Sequence, residues 1–212
     1  MAYTVKETYL TLQGEGTHAG RAAVFCRFTG CNLWSGRERD RESSACSFCD
    51  TDFVGTDGPG GGRFASAPDL AAHIYEVWRA RASGGKPYVV FTGGEPLLQL
   101  DQPLTDACKA RGIEVGVETN GTRPLPSGVN WVCVSPKAGT KLVVRTGQEL
   151  KLVFPQSGLR PEDVGGLAFD HFFLQPMDGP DQAANTRLAV DYCLRNPTWR
   201  LSLQTHKLIG IP

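Results

Sequence analysis

The sequence predicts an α/β fold built as a partial, open TIM-like barrel of mainly parallel strands. Three observations lead to that expectation. Short runs rich in Val, Ile, Leu and Phe recur along the chain, several of them almost continuously apolar, as strands of a parallel sheet covered on both faces must be. Amphipathic helical periodicity fills some of the gaps between them, the alternation expected of right-handed βαβ crossovers. A closed eightfold barrel takes about 250 residues; this chain has 212 and lacks helical patterns in several gaps, so it stops short of closure.

In chain order, Ala22 to Phe28 (AAVFCRF) is the first strand. The charged stretch Gly36 to Ala45 (GRERDRESSA) and the glycine-rich Gly55 to Gly62 (GTDGPGGG) follow. Both read as surface loops, so residues 1–212 form one domain with a charged insertion at about 36–45. Asp69 to Arg81 is a helix, because Leu70, Ile74, Val77 and Trp78 share one face behind the start signals Ser66 and Pro68. Tyr88 to Thr92 is the second strand and Leu104 to Arg111 a short helix. Ile113 to Glu118, Trp131 to Ser135, Leu150 to Phe154 and His171 to Gln175 are the next four strands. Thr186 to Arg195 is a further helix, and Trp199 to Leu203 the seventh strand.

Composition narrows the function classes. Lys plus Arg and Asp plus Glu both number 22, which leaves no net field to hold a nucleic-acid backbone or an anionic membrane surface. No apolar run approaches the roughly 18 residues of a spanning helix, and the opening Met1-Ala-Tyr-Thr-Val-Lys-Glu7 lacks the order of a secretion signal. The expected compartment is the cytoplasm, where seven cysteines make a poor disulfide framework.

Polar residues gather where the strands end: Thr92-Gly-Gly-Glu95, Glu118-Thr-Asn-Gly121, Ser135-Pro-Lys137, Gln175-Pro-Met-Asp178 and Gln204-Thr-His206. Carboxyl ends of parallel strands form the binding face of such folds, so the five corners should converge on one cleft. Strand ends are also polar simply because they meet water. That alone does not account for so many amides, carboxylates and glycines together.

Cys31, Cys46 and Cys49 form C-x14-C-x2-C after the first strand, while Cys26, Cys108, Cys133 and Cys193 are scattered and read as small buried hydrophobes. The C-x2-C pair brings two sulfurs together and a third arrives across a loop. Structural zinc would need a fourth Cys or His, and no second pair occurs. A 4Fe-4S cube held by three thiolates leaves one iron open to an outside ligand. If Cys46 were not the second ligand, Cys26 would be the first candidate. Gly93-Gly94-Glu95-Pro96 after a buried strand can let the backbone approach a ligand, or can simply be a tight strand-to-helix turn. Gly14-Glu-Gly-Thr-His-Ala19 matches a dinucleotide fingerprint but opens no helix, so that reading fails on context.

Three cysteines closing in C-x2-C, followed by GGEP after the next strand, resemble the radical S-adenosylmethionine (SAM) superfamily. Within it the chain resembles the 7-carboxy-7-deazaguanine synthase family almost from end to end. The resemblance rests on Leu12-Gln-Gly-Glu-Gly16, Gly20, Val24-Phe-Cys-Arg27, Gly30-Cys-Asn32, Cys49-Asp-Thr-Asp52, Thr92-Gly-Gly-Glu-Pro96, Glu118-Thr-Asn-Gly121, Ser135-Pro-Lys137 and Gln175-Pro-Met-Asp178. Many members have C-x3-C-x2-C. Here Ser35 stands in the second cysteine's place, and a ten-residue insertion delivers Cys46 instead.

The resemblance implies a radical SAM core and conversion of 6-carboxy-5,6,7,8-tetrahydropterin to 7-carboxy-7-deazaguanine with loss of ammonia, on the route to queuosine. A 5′-deoxyadenosyl radical from SAM would take hydrogen from carbon 6 of the pterin before ring contraction. Cys31, Cys46 and Cys49 would hold the cluster and mediate the chemistry, with no side-chain radical. Gly93, Gly94, Glu118, Asn120, Ser135, Lys137, Gln175, Pro176, Met177 and Asp178 would surround SAM. Read alone, Lys137 and Asp178 also fit an ordinary solvated ion pair.

For the substrate the implied contacts are Leu12, Gln13 and Gly14 through backbone groups, Arg27 as a carboxylate fork, Thr92, His206, and the terminal carboxylate of Pro212. Read without the family, the tail would instead be anchored by Leu208, Ile209 and Ile211 packing on the core. Thr51 is the implied magnesium ligand. The implied partners are a pterin substrate, an electron donor such as flavodoxin and a second copy in a homodimer. Two alternatives stand beside this one: a glycyl-radical-activating enzyme, or a non-catalytic zinc or iron–sulfur module. The activase would leave the Gln-Gly-Glu-Gly opening and His206 without a role.

Overall fold

The computed structural model describes residues 2–212. One nine-stranded sheet runs through it in the order β3-β1-β2-β4-β5-β6-β7-β8-β9, with β3 and β9 at the edges. The strands are β1 (Tyr3–Leu12), β2 (Ala22–Phe28), β3 (Gly62–Phe64), β4 (Tyr88–Gly93), β5 (Glu114–Thr119), β6 (Trp131–Val134), β7 (Thr146–Phe154), β8 (Ala168–Pro176) and β9 (Trp199–Leu201). Every pairing from β2 onward is parallel, and β1 adds antiparallel to β2 and to β3. The sheet is thus the open, mainly parallel array the sequence predicts.

All seven predicted strands form. Two others were not anticipated. β1 carries Lys6, Glu7 and Thr8 among its apolar residues and so reads as half polar; a register shift between Val5 and Glu7 accompanies a buried Lys6, whose ammonium bonds Asp57 at 2.7 Å and the Val54 carbonyl at 2.9 Å. β3 is three residues long and forms only against β1, so the end of the glycine-rich loop is strand after all.

Helix α1 (Ala67–Arg79) starts as its sequence predicts: Ser66 Oγ accepts from the Asp69 amide at 3.3 Å, and Leu70, Ala71, Ile74 and Trp78 are buried. Helix α2 (Gln102–Ala110) is capped by Asp101, whose Oδ1 accepts from the Leu104 amide at 3.1 Å and from the Tyr3 hydroxyl at 2.6 Å. That last bond ties β1 to the helical layer. A four-residue helix α3 (Pro161–Val164) precedes β8, and α4 (Gln182–Arg195) joins β8 to β9. The chain ends in a short helix α5 (Thr205–Ile209), also absent from the sequence reading. The parallel layer and the helices share one core, in which Phe28 and Phe91 stack at 5.5 Å and Leu70, Leu104, Leu150, Leu152 and Leu174 are fully buried. Burial of each such side chain is worth ~1.5–3 kcal/mol. This core fixes the strand ends on which the polar corners sit.

Candidate active site

The carboxyl ends of the parallel strands, the amino-terminal turn, the cysteine loop and the chain end enclose a cleft of about 400 Å³. All five predicted corners contribute to it. So does every predicted site residue: Cys31, Cys46, Cys49, Thr51, Leu12, Gln13, Gly14, Arg27, Thr92, Gly93, Gly94, Glu118, Asn120, Ser135, Lys137, Gln175 to Asp178, His206 and Pro212.

The Thr92–Pro96 corner is built by chain packing. A Cβ on Gly93 would come within 2.2 Å of the Phe28 carbonyl oxygen, and one on Gly94 within 2.2 Å of the Gly30 carbonyl and 2.8 Å of Cys31 Cβ. Both glycines line the cleft, but what demands them is the chain that carries Cys31 lying against them. Glu95 faces inward, fully buried, and accepts from the Thr119 hydroxyl (2.6 Å) and from the amides of Asn120 (2.8 Å) and Leu97 (3.0 Å). It joins the ends of β4 and β5. Burial raises its carboxyl pKa above the usual range, and those three donors hold it back.

The cysteine loop leaves β2 after Phe28, passes Cys31, crosses a short 3-10 turn at Glu38–Asp40, and returns at Cys46 and Cys49. Ser35, where the resemblance expects a cysteine, closes the insertion by donating to Asp40 at 2.6 Å. Interaction between the neighbouring Cys46 and Cys49 thiols lowers the Cys49 pKa and raises that of Cys46. Burial raises Cys31. Among the described residues no three His, Cys, Asp or Glu side chains converge tightly enough to grip a single ion. A cube takes one thiolate per iron and needs no such convergence, so three thiols on one cleft fit a 4Fe-4S donor set better than a mononuclear site. Cys26 is fully buried in the core, where desolvation pushes its thiol far up, so it does not serve as a substitute ligand.

On the far wall, Lys137 donates to the hydroxyl and carbonyl of Ser135 (2.7 and 2.8 Å) and stands 5.8 Å from the Phe48 ring. Burial lowers its pKa, and the nearby thiols oppose that shift. Asn120 accepts from Thr122 and donates to Asn32 at 3.1 Å. Arg27 has one edge fixed, Nε to Glu7 at 2.8 Å and Nη2 to the Tyr9 hydroxyl at 3.1 Å.

The cleft floor holds a charge network that sequence reasoning missed. Lys151 from β7 pairs with Glu15 and, at 3.2 Å, with Glu118. Gln175 and Gln204 donate to Glu15 at 3.1 and 3.0 Å, and Gln13 donates to Glu118 at 2.7 Å. Burial works against the Lys151 ammonium, but Glu118 and Glu15 outweigh it and hold the pKa well above the ordinary lysine range. Lys151 likewise keeps Glu15 below the usual carboxylate range despite its burial. The Gln-Gly-Glu-Gly string was a visible signal for Glu15; nothing local marks Lys151.

The tail folds over this floor. Gly14's carbonyl accepts from the amide (3.0 Å) and hydroxyl (2.8 Å) of Thr205, and a Cβ at Gly14 would lie 2.1 Å from the His206 ring. A terminal oxygen of Pro212 accepts from the Thr11 hydroxyl at 2.8 Å. Lys207 reaches Asp50 and Asp178, both at 2.6 Å, and holds both carboxyls below their usual range. Asp178 is therefore paired with Lys207, and Lys137 with Ser135. Leu208 and Ile209 are 72% and 61% exposed, so polar bonds rather than an apolar anchor hold the tail.

Residues 42–148 match the family model of the radical SAM superfamily. The chain is 65% identical over 211 residues to the 7-carboxy-7-deazaguanine synthase of Bradyrhizobium diazoefficiens, and 65% identical over 212 residues to that of Bordetella pertussis, with all of each chain covered. It is 40% identical over 211 residues to the enzyme of that name from Bacteroides thetaiotaomicron, again over both full lengths. The structure resembles crystalline QueE from Escherichia coli with a TM-score of 0.69 at 28% identity, covering 96% of this chain and 94% of that one. With the cysteine loop, the strand-end cleft and the folded tail all inside that full-length correspondence, the chain belongs to the 7-carboxy-7-deazaguanine synthase family of radical SAM enzymes.

Proposed function

We propose that this enzyme converts 6-carboxy-5,6,7,8-tetrahydropterin to 7-carboxy-7-deazaguanine with loss of ammonia. The observation that carries the reading is the meeting, in one cleft, of the three-cysteine loop with the turn after β1, Leu12–Gly14, and with Pro212. An activase or a bare zinc or iron–sulfur module gives those two segments nothing to do, and the full-length relatives carry the synthase name.

In this reading Cys31, Cys46 and Cys49 hold a 4Fe-4S cluster, and SAM lies between the Gly93-Gly94 corner and the wall formed by Glu118, Asn120, Ser135, Lys137 and Gln175–Asp178. When bound, cluster and SAM supply one-electron cleavage of a carbon–sulfur bond and the hydrogen abstraction that follows from it. The chain's own residues bind, orient and exclude water. Phe48, between the two paired cysteines, offers a flat apolar face for a purine ring. Arg27, with Nε and Nη2 fixed by Glu7 and Tyr9, turns its remaining edge to the substrate carboxylate. Thr92 and His206 border the ring system.

The Pro212 carboxylate matches the paired N–H edge of the pterin as it would match a guanidinium. A carboxy-terminal tag is accordingly expected to raise KM for the pterin at least ~tenfold, about 1.4 kcal/mol of lost binding, while an amino-terminal tag leaves it unchanged. Steady-state kinetics on the two tagged forms decide the point. Unchanged KM with an extended carboxyl end contradicts the role given to Pro212.

Magnesium belongs to the reading through Thr51. With no tight cluster of ligands among the described residues, the ion would take most of its six oxygens from substrate and water. Thr51→Ala should flatten the magnesium dependence of turnover and leave the visible absorbance of the cluster intact; an unaltered magnesium response removes Thr51 as ligand. A low-potential donor such as flavodoxin, a homodimer and a cytoplasmic setting complete the proposal. No helix among the described residues is long and apolar enough to cross a membrane. The function is tested by anaerobic incubation of the iron-loaded enzyme with SAM, reductant and the pterin. The expected products are the deazaguanine and one ammonia per turnover, and SAM consumption without either product refutes it.

A further inference from the structure

The insertion at 36–45 poses a mechanical problem. Fourteen residues separate Cys31 from Cys46, and a loop of that length does not by itself return two sulfurs to fixed positions beside the first. One side chain inside the insertion addresses that. Arg41 Nη1 donates to the carbonyl of Ser47 at 3.0 Å and to the carbonyl of Cys49 at 2.9 Å, the two carbonyls that bracket Phe48-Cys49. Its Nε is engaged by both oxygens of Glu38 at 2.8 and 2.9 Å. Its guanidinium carbon lies 4.2 Å from the centre of the Trp34 ring. Trp34 is itself buried, edge-on to Phe53 at 5.6 Å, and its indole N–H donates to the Arg37 carbonyl at 3.2 Å. A planar cation that stacks on one face while two of its nitrogens donate in different directions uses properties that lysine lacks.

We propose that Arg41 is a positioning residue for the cluster thiolates: it clamps the returning segment of the loop onto Trp34 and so fixes Cys46 and Cys49 relative to Cys31. The proposal rests on the reading that these three cysteines hold a cube. It assigns the insertion a purpose, since the segment that displaces the second cysteine also carries the side chain that locks the substitute in place. Arg41 touches no substrate and no sulfur. Its action runs through the backbone carbonyls on either side of Phe48 and Cys49.

The test compares the parent enzyme with Arg41→Ala and Arg41→Lys after anaerobic reconstitution with ferrous iron and sulfide. Loss of the cluster's visible absorbance is followed after addition of a ferrous-iron chelator. Arg41→Ala is expected to release iron about tenfold faster, the usual cost of removing an outer partner of a metal ligand. Arg41→Lys, which keeps the charge but not the fork, should behave closer to Ala than to the parent. Amide hydrogen exchange on the iron-free proteins supplies a readout that needs no cluster: faster exchange confined to residues 42–49, with the sheet unchanged, is the expected result. If Arg41→Ala does not fold, Arg41→Lys alone decides. Release within about twofold of the parent, with exchange over 42–49 unaltered, overturns the proposal. A parent enzyme that takes up no iron defeats the cluster reading instead, and the exchange experiment still judges Arg41 as the clamp of the loop.

Discussion

Cys46→Ala is expected to abolish SAM cleavage and the visible absorbance of the cluster while the iron-free protein melts within a few degrees of the parent. Cys46 is the second thiol of the trio but stands at the end of a loop, outside the core that Phe28, Phe91 and the buried leucines form. In the proposed reading its loss removes one of three iron ligands, and it leaves that core intact. A cube on two thiolates is not retained, so 5′-deoxyadenosine should fall to the level without enzyme. The two readouts separate lost chemistry from lost folding. Full turnover by this variant would move the ligand elsewhere, and with Cys26 sealed in the core no ready candidate remains among the described cysteines outside the trio that line the cleft.

The largest expected loss of stability belongs to Lys151→Met. Lys151 is buried under the cleft, where its ammonium is the partner of both Glu15 and Glu118. Removing one member of a buried ion cluster leaves the opposite charges uncompensated, at a cost of about 3–5 kcal/mol. For a chain of this size that corresponds to a Tm lower by roughly 6–20 °C. Glu118, which the proposed reading places beside SAM, loses the same partner, so turnover should fall even where the variant is folded. A thermal melt of the iron-free protein, with the parent alongside, measures the effect. A shift of only a degree or two would mean that water reaches the carboxylates and that the network does not hold the floor of the site.

Much of this architecture was legible in the sequence, and the parts that were not share a cause. Seven strands and three helices announce themselves because each repeats an apolar pattern locally, as in Val89–Phe91 or in Leu70, Ile74 and Trp78. β1 hides because its inward-facing Lys6 is satisfied by a loop about fifty residues away. Helix α5 hides because it has no buried residue; it is held by Gly14, Asp50 and Asp178, each far off in the chain. The site residues that came from motifs all line the cleft. Lys151 and Lys207 did not come from motifs, since a lysine paired across more than a hundred residues has no local signature. The glycines were found for one reason and are required for another: Gly14 admits the His206 ring, while Gly93 and Gly94 admit the chain that bears Cys31.

One measurement reaches the centre of this account: the amount of 5′-deoxyadenosine formed from SAM by the iron-loaded, reduced enzyme with and without 6-carboxytetrahydropterin. If Cys31, Cys46 and Cys49 hold an open-sited cube beside a pterin pocket closed by the chain end, the nucleoside forms in step with deazaguanine when the pterin is present and only slowly when it is absent. A chain that binds zinc in stoichiometric amount, takes up no iron and yields no nucleoside under either condition would contradict it.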